Sequence, residues 1–179
     1  NQGVPRVVFA SSCAIYGDSP ELPKQEGMPS HPLSPYAVHK ATGEQYARLF
    51  YTLYGLETYC LRFFNVFGPQ QDPRSDYAAV IPRFIERMIN KQKPIIYGDG
   101  EQTRDFIYVG DIVAANWAAM TAKAGSGEIF NIGTGQSHSL NELFRCLRNI
   151  LQYQMDPQYE SARPGDVRLS YADVDKAKR

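Results

Sequence analysis

Three stretches decide how this chain folds: RVVFASSCAIYG (Arg6–Gly17), PYAVHKATGEQYARLFYTLYG (Pro35–Gly55) and TYCLRFFNVFG (Thr58–Gly68). The first opens on a short, β-branched apolar run, the composition of a strand buried on both faces. The second carries apolar residues at helical spacing (Ala37, Ala41, Ala47, Leu49, Phe50, Leu53) and stops at Gly55, which predicts one long helix. The third reads as a second buried strand. Strand, long helix, strand is the rhythm of a parallel α/β sheet.

The pattern continues downstream. AVIPRFIERMI places Val80, Ile81, Phe84, Ile85, Met88 and Ile89 on one side of an amphipathic helix. PIIYGDG predicts a short strand and turn, DFIYVGD an extended piece, and IVAANWAAMTA an Ala-rich helix whose Trp117 is expected in the core. EIFNIGTG predicts a strand ending in a tight turn rather than a phosphate loop. SLNELFRCLRNIL carries Ser139 and Glu142 at capping-box spacing. From Gln158 the tail is polar, with short extended pieces.

Composition narrows the function. The 179 residues are 43% hydrophobic and 21% charged, which argues for a folded domain rather than disorder. Nineteen basic residues balance nineteen acidic ones, so no overall field favours nucleic acid or an anionic membrane, and an anionic ligand needs a local cluster. Cys13, Cys60 and Cys146 are odd in number and far apart, which fits reduced thiols in a cytoplasmic protein. No apolar run approaches the roughly 20 residues of a membrane span. His31, His39 and His138 have no metal-ligand spacing, so no metal is expected.

The chemistry lies in Ser12, Tyr36 and Lys40. Tyr36 and Lys40 are four apart on the long helix and share a face. A phenol ordinarily ionises near pH 10, and bringing it to neutrality takes roughly 4 kcal/mol, which nearby cations in a dry cleft supply. A serine at the tip of the neighbouring strand is placed to hydrogen-bond a reacting hydroxyl.

SSCAIYG, YAVHK, LRFFNVFGP, GDGEQTRDFIYVGDIV, FNIGTG and RPGDVRLSYAD, in that order, resemble the extended short-chain dehydrogenase/reductase family, and within it the nucleotide-sugar 4-epimerases. The resemblance spans nearly the whole chain. It implies the C-terminal portion of a Rossmann-type, doubly wound parallel sheet plus a smaller mixed α/β substrate-binding domain. Residues 1–68 would be the second half of the Rossmann-type domain and 69–105 the start of the substrate domain. Residues 106–135 would return to the sheet and 136–179 complete the substrate domain. The family's glycine-rich phosphate loop has no counterpart among these residues. The chain is therefore expected to be the catalytic and substrate-binding portion of a longer enzyme, unstable as an isolated monomer. Acting alone, it would only bind nucleotide-sugar or a partner.

By the same resemblance, Ser12 orients the substrate and Tyr36 is the acid/base. Lys40 lowers the tyrosine's pKa and contacts the nicotinamide ribose. Ser11 and Phe64 join Ser12, Tyr36 and Lys40 around NAD. Asn65, Val80, Tyr97, Arg104, Arg163 and Asp166 hold a UDP-sugar, arginine suiting phosphate by its planar fork. Dehydratases and decarboxylases of the family carry Asp or Glu just after the serine; Cys13 and Ala14 here argue for epimerisation at C4. Ser170 would face the sugar's C2 substituent, where a small residue admits an N-acetyl group. That favours UDP-N-acetylglucosamine and UDP-N-acetylgalactosamine over UDP-glucose or UDP-glucuronate. A homodimer through the Tyr36 helix is the default assembly.

Overall fold

A computed structural model describes residues 3–74, 79–163 and 166–179. Three parallel strands form the main sheet: β1 (Arg6–Ser12), β2 (Glu57–Phe63) and β7 (Glu128–Ile132), in the order β1-β2-β7. Between the first two runs α1 (Pro35–Tyr54). Ser34 caps it by accepting from the Ala37 amide, and Gly55 ends it in the left-handed conformation at φ 68°. Side chains alternate across β2 as the pleat requires. Arg62 and Thr58 face α1, bonding Glu44 and the Ala47 carbonyl, while Tyr59 and Leu61 pack with Ile112 and Ala119 of α3 (Val109–Thr121). That two-sided cover explains the unbroken apolar run.

The expected strand across Thr58–Gly68 is instead two. At Phe64 the chain leaves the main sheet, and β3 (Asn65–Phe67) pairs in parallel with β6 (Phe106–Tyr108). The Phe64 amide still donates to Ile132, but that of Asn65 donates to Asp105. Only Phe106–Tyr108 of DFIYVGD is extended, because Val109 begins α3. Trp117 is 71% exposed rather than in the core. The inward stripe of α1 carries Ala37, Lys40 and Glu44, while Leu49, Phe50 and Leu53 point outward.

A second core gathers Phe84 and Met88 of α2 (Val80–Ile89), Ile96 of β4 (Ile95–Tyr97), and Phe144 and Leu147 of α4 (Leu140–Ile150). β4 pairs in parallel with β9 (Gln158–Glu160), and β5 (Thr103–Arg104) pairs antiparallel with β8 (His138–Ser139). Ser139 and Glu142 complete the capping box on α4. The tail ends in α5 (Asp175–Lys178). Ahead of it, the tail forms a third cluster, where Ala172 and Val174 bury against Tyr16 and Phe64.

Candidate active site

β1 ends at Ser12, whose hydroxyl caps a 3-10 turn (Cys13–Tyr16) by accepting from the Ala14 amide at 3.2 Å. Ser12 pairs in register with Phe63, so Asn65, two residues further along, lies at the same end of the neighbouring strand. The N-terminal turn of α1 brings Tyr36 to this end, 49% exposed, where the positive end of the helix dipole favours negative charge. The Lys40 ammonium donates to the Ala10 carbonyl at 2.6 Å and lies 5.5 Å from the Tyr36 ring centroid. Its two other protons remain available to a ligand's hydroxyls.

A cleft of about 740 Å³ opens between the second core and β3, and Asn65, Val80, Tyr97, Arg104, Arg163 and Asp166 all line it. These residues come from β3, α2, β4, β5 and the tail. Arg104 is paired with Asp166, and the Arg163 guanidinium lies over the Tyr97 ring, 3.7 Å from its centroid. Arg74, Arg83 and Arg87 line the cleft as well, so it offers five guanidinium groups among the described residues, that of Arg163 against an aromatic face. Pro164 and Gly165, at the centre of RPGD, lie outside the described residues, as do Asp76–Ala78 of DYAAVIP. Ala79 and Val80 line the cleft. Ser12, Tyr36 and Lys40 are not among the residues lining this cleft. Burial pushes the thiol of Cys13, next to Ser12, up to about 11, against the opposing pull of the Arg104 charge.

Three expected residues are placed differently. Ser11 is buried and its hydroxyl donates to Glu44 at 2.5 Å, so its side chain is engaged inside the fold. Phe64, 4% exposed, packs against Tyr16 and so does not wall an open pocket. Ser170 is also buried and lies outside the cleft lining. It stands between Arg168, which bonds Asp18 and Thr103, and Tyr171, which bonds Lys24. That sets it beside the loop that follows the 3-10 turn.

Asp105, adjacent to Arg104, escaped the sequence reading. It is fully buried, and its carboxylate accepts from the amides of Thr134, Gly135 and Ala172 and from the Thr134 hydroxyl. The amides of the FNIGTG turn thus bind an internal carboxylate instead of a phosphate. Its place five residues after Gly100, inside a quoted motif, was the available signal. Among the described residues no group of three or more His, Cys, Asp or Glu is placed to hold a metal, and no helix is long and apolar enough to cross a membrane.

Known proteins share this arrangement. Residues 1–133 match the NAD dependent epimerase/dehydratase family. The UDP-N-acetylglucosamine 4-epimerase of Methanobrevibacter ruminantium, solved in complex with UDP-N-acetylmuramic acid, is 44% identical with a TM-score of 0.94; the match covers 97% of this chain and 56% of that one. The UDP-glucose 4-epimerase of Thermotoga maritima, solved with UDP-glucose, is also 44% identical with a TM-score of 0.94, over 98% of this chain and 57% of that one. A UDP-glucose 4-epimerase of Mycolicibacterium smegmatis is 37% identical over 98% of this chain and 56% of its own length. The chain thus spans about half the length of these relatives. With a family match over residues 1–133, and a parallel sheet that ends in Ser12 beside the helix carrying Tyr36 and Lys40, the chain belongs to the NAD dependent epimerase/dehydratase family.

Proposed function

We propose that this chain supplies the catalytic groups and the nucleotide-sugar cleft of a UDP-hexose 4-epimerase, with UDP-N-acetylglucosamine and UDP-N-acetylgalactosamine as its favoured pair. One observation carries the reading. Six residues singled out in sequence for a UDP-sugar line one cleft. Arg104 and Arg163 suit a diphosphate by charge and by fork geometry, and the Tyr97 ring suits a pyrimidine. Relatives at equal identity are named for different sugars, so overall likeness does not choose among them. The choice of the N-acetyl sugar rests on the sequence resemblance at Ser170, a small residue that is itself buried and outside the cleft lining.

Tyr36, Lys40 and Ser12 fit the nicotinamide-ribose end of NAD: a half-exposed phenol, an ammonium with protons to spare, and a hydroxyl on the neighbouring strand. When bound, NAD supplies reversible oxidation at sugar C4. Ser12 holds the C4 hydroxyl and Tyr36 removes its proton, with the Lys40 ammonium as countercharge. Tyr36 returns the proton once the 4-keto sugar has presented its other face. In this reading residues 1–68 and 106–135 belong to the catalytic sheet and 69–105 and 136–179 to the substrate side. Three free thiols fit the cytoplasm. The exposed apolar side of α1 suits a homodimer.

The test is interconversion of UDP-N-acetylglucosamine and UDP-N-acetylgalactosamine, with NAD released on denaturation measured per chain. The expected result is near-stoichiometric NAD and a kcat that Tyr36→Phe lowers by about 10²- to 10⁴-fold. A strong kcat/KM preference for UDP-glucose would overturn the N-acetyl assignment, and for UDP-glucuronate likewise. Absence of turnover on every UDP-sugar, with NAD bound, would overturn the epimerase reading itself.

A further inference from the structure

Tyr36, Lys40 and Glu44 follow each other at four-residue spacing, so one stripe of α1 faces the sheet. The first two belong to the catalytic trio; the third is a buried carboxylate. Glu44 Oε1 accepts from Ser11 Oγ at 2.5 Å and from Arg62 Nε at 2.8 Å, and Oε2 accepts from Arg62 Nη2 at 2.7 Å. The side chains of Arg62 and Glu44 are 5% and 4% exposed. Ser11 and Arg62 are register partners on β1 and β2, so the carboxylate ties α1 to two adjacent strands at one level. The Arg62 guanidinium also lies 4.7 Å from the Tyr16 ring centroid, and Tyr16 donates to Asn131 at 2.6 Å. The pair therefore touches every element that carries a catalytic group.

A buried ion pair is a poor device for stability alone, because desolvating both charges offsets their attraction and an apolar filling often does as well. What it does supply is geometry. A bidentate guanidinium–carboxylate pair has one angle and one distance, whereas apolar contact permits sliding. Sliding matters on this helix, since Lys40 reaches the Ala10 carbonyl with a bond of 2.6 Å, and Tyr36 sits one turn above it. Ser12 follows directly on Ser11, the residue Glu44 holds.

We propose that Glu44 and Arg62 are positioning residues that set the height of α1 against β1 and β2, and so place Tyr36 and Lys40 opposite Ser12. The proposal rests on the epimerase reading of that trio. The cleft's Tyr97, Arg104 and Arg163 stand on other elements, so the pair should govern the chemical step and leave nucleotide binding alone.

The experiment replaces the pair by apolar groups of similar size, Glu44→Met with Arg62→Met, and adds Ser11→Ala so that no hydroxyl is stranded. Melting, kcat, KM for the UDP-sugar and a crystal structure are compared with the unmodified protein. The expected outcome is a folded protein with KM within about threefold of the original. Its kcat falls roughly 10- to 100-fold, the scale that a misplacement of about 1 Å produces, and Lys40 is displaced from the Ala10 carbonyl. An unchanged kcat together with an unchanged Lys40–Ala10 contact would overturn the proposal and leave the pair a structural filler. Should the triple variant not fold, Glu44→Gln keeps the shape and the Ser11 bond while removing the charge. The same separation of kcat from KM is then expected, and an original kcat again overturns the idea. If the unmodified protein turns over no UDP-sugar, the function reading fails by itself, and the Lys40–Ala10 geometry in the two crystal structures decides the positioning claim.

Discussion

At the residue scale, the Arg163 side chain is held against a ring. Its guanidinium lies over the Tyr97 face at 3.7 Å, a stacking that suits a planar fork meant for an incoming anion. Arg163→Ala is expected to weaken UDP binding by roughly 10- to 100-fold in calorimetry, the scale of a hydrogen bond to a charged group. Arg163→Lys should restore little, because an ammonium neither stacks nor forks. Arg104 differs in being anchored to Asp166. The buried acids make a second prediction. Burial pushes the Cys13 thiol up to about 11, the Cys60 thiol up to about 12 and the Tyr16 phenol up to about 12. The folded state therefore holds protons that the unfolded chain, with ordinary values of 9.0 for thiols and 10.0 for the phenol, gives up first. Stability from these groups is complete below about pH 9 and is lost as pH rises through 9 to 12. The melting temperature should fall steadily across that range, and Cys60→Ala should flatten the fall. A flat profile in the unmodified protein would count against the burial of these groups.

At the element scale, α1 is anchored by a close approach. A Cβ on Gly43 would meet the Phe9 ring at 2.2 Å, and the Lys40 ammonium of the same helix lies 5.3 Å from that ring's centroid. Alanine ordinarily favours a helix over glycine by up to about 1 kcal/mol. Here overpacking costs about 1–3 kcal/mol, so Gly43→Ala should destabilise by about 1 kcal/mol in urea unfolding. Adding Phe9→Leu should recover most of that loss, and strict additivity of the two changes would rule out the contact as the cause. The boundaries of α1 were legible residue by residue, since Ser34, Pro35 and Gly55 act through bonds within a few positions. Its orientation was not. Leu49, Phe50 and Leu53 read as a buried face, yet the sheet takes Ala37, Lys40 and Glu44, because small residues and a satisfied ion pair fit closer to the strands than bulky ones.

At the scale of the whole molecule, two exposed apolar surfaces stand out among the described residues. One is the outer face of α1, with Tyr46, Leu49, Leu53 and Tyr54 exposed; the other is Val113, Trp117 and Met120 on α3. Among the described residues β1 pairs only with β2, so its far edge also carries unsatisfied backbone groups. The 179-residue chain by itself is therefore expected to self-associate. Sedimentation should show species larger than a monomer, and melting should depend on concentration. Leu49→Glu with Leu53→Glu should shift the population toward monomer if α1 is the interface; an unchanged distribution would move the interface to α3 or to the sheet edge.

Local chemistry determined what the sequence alone could determine. Strand composition, helix caps, the spacing of Tyr36 and Lys40, and the residue types suited to a diphosphate all act over a few residues or through side-chain identity. The tertiary structure decided everything that depends on a partner far along the chain. The apolar run through Phe64 is continuous in sequence, but its backbone changes partners there, from Ile132 to Asp105, and no local signal reports that exchange. Trp117 sits on an Ala-rich helix apolar on most sides, so its pattern names no inward face, and only the packing of Ile112 and Ala119 on the sheet turned it outward. The cleft is the same case on a larger scale. Asn65, Tyr97 and Arg163 carry the right chemistry as isolated residues, but a site exists only where hydrogen bonding between distant strands brings them to one wall.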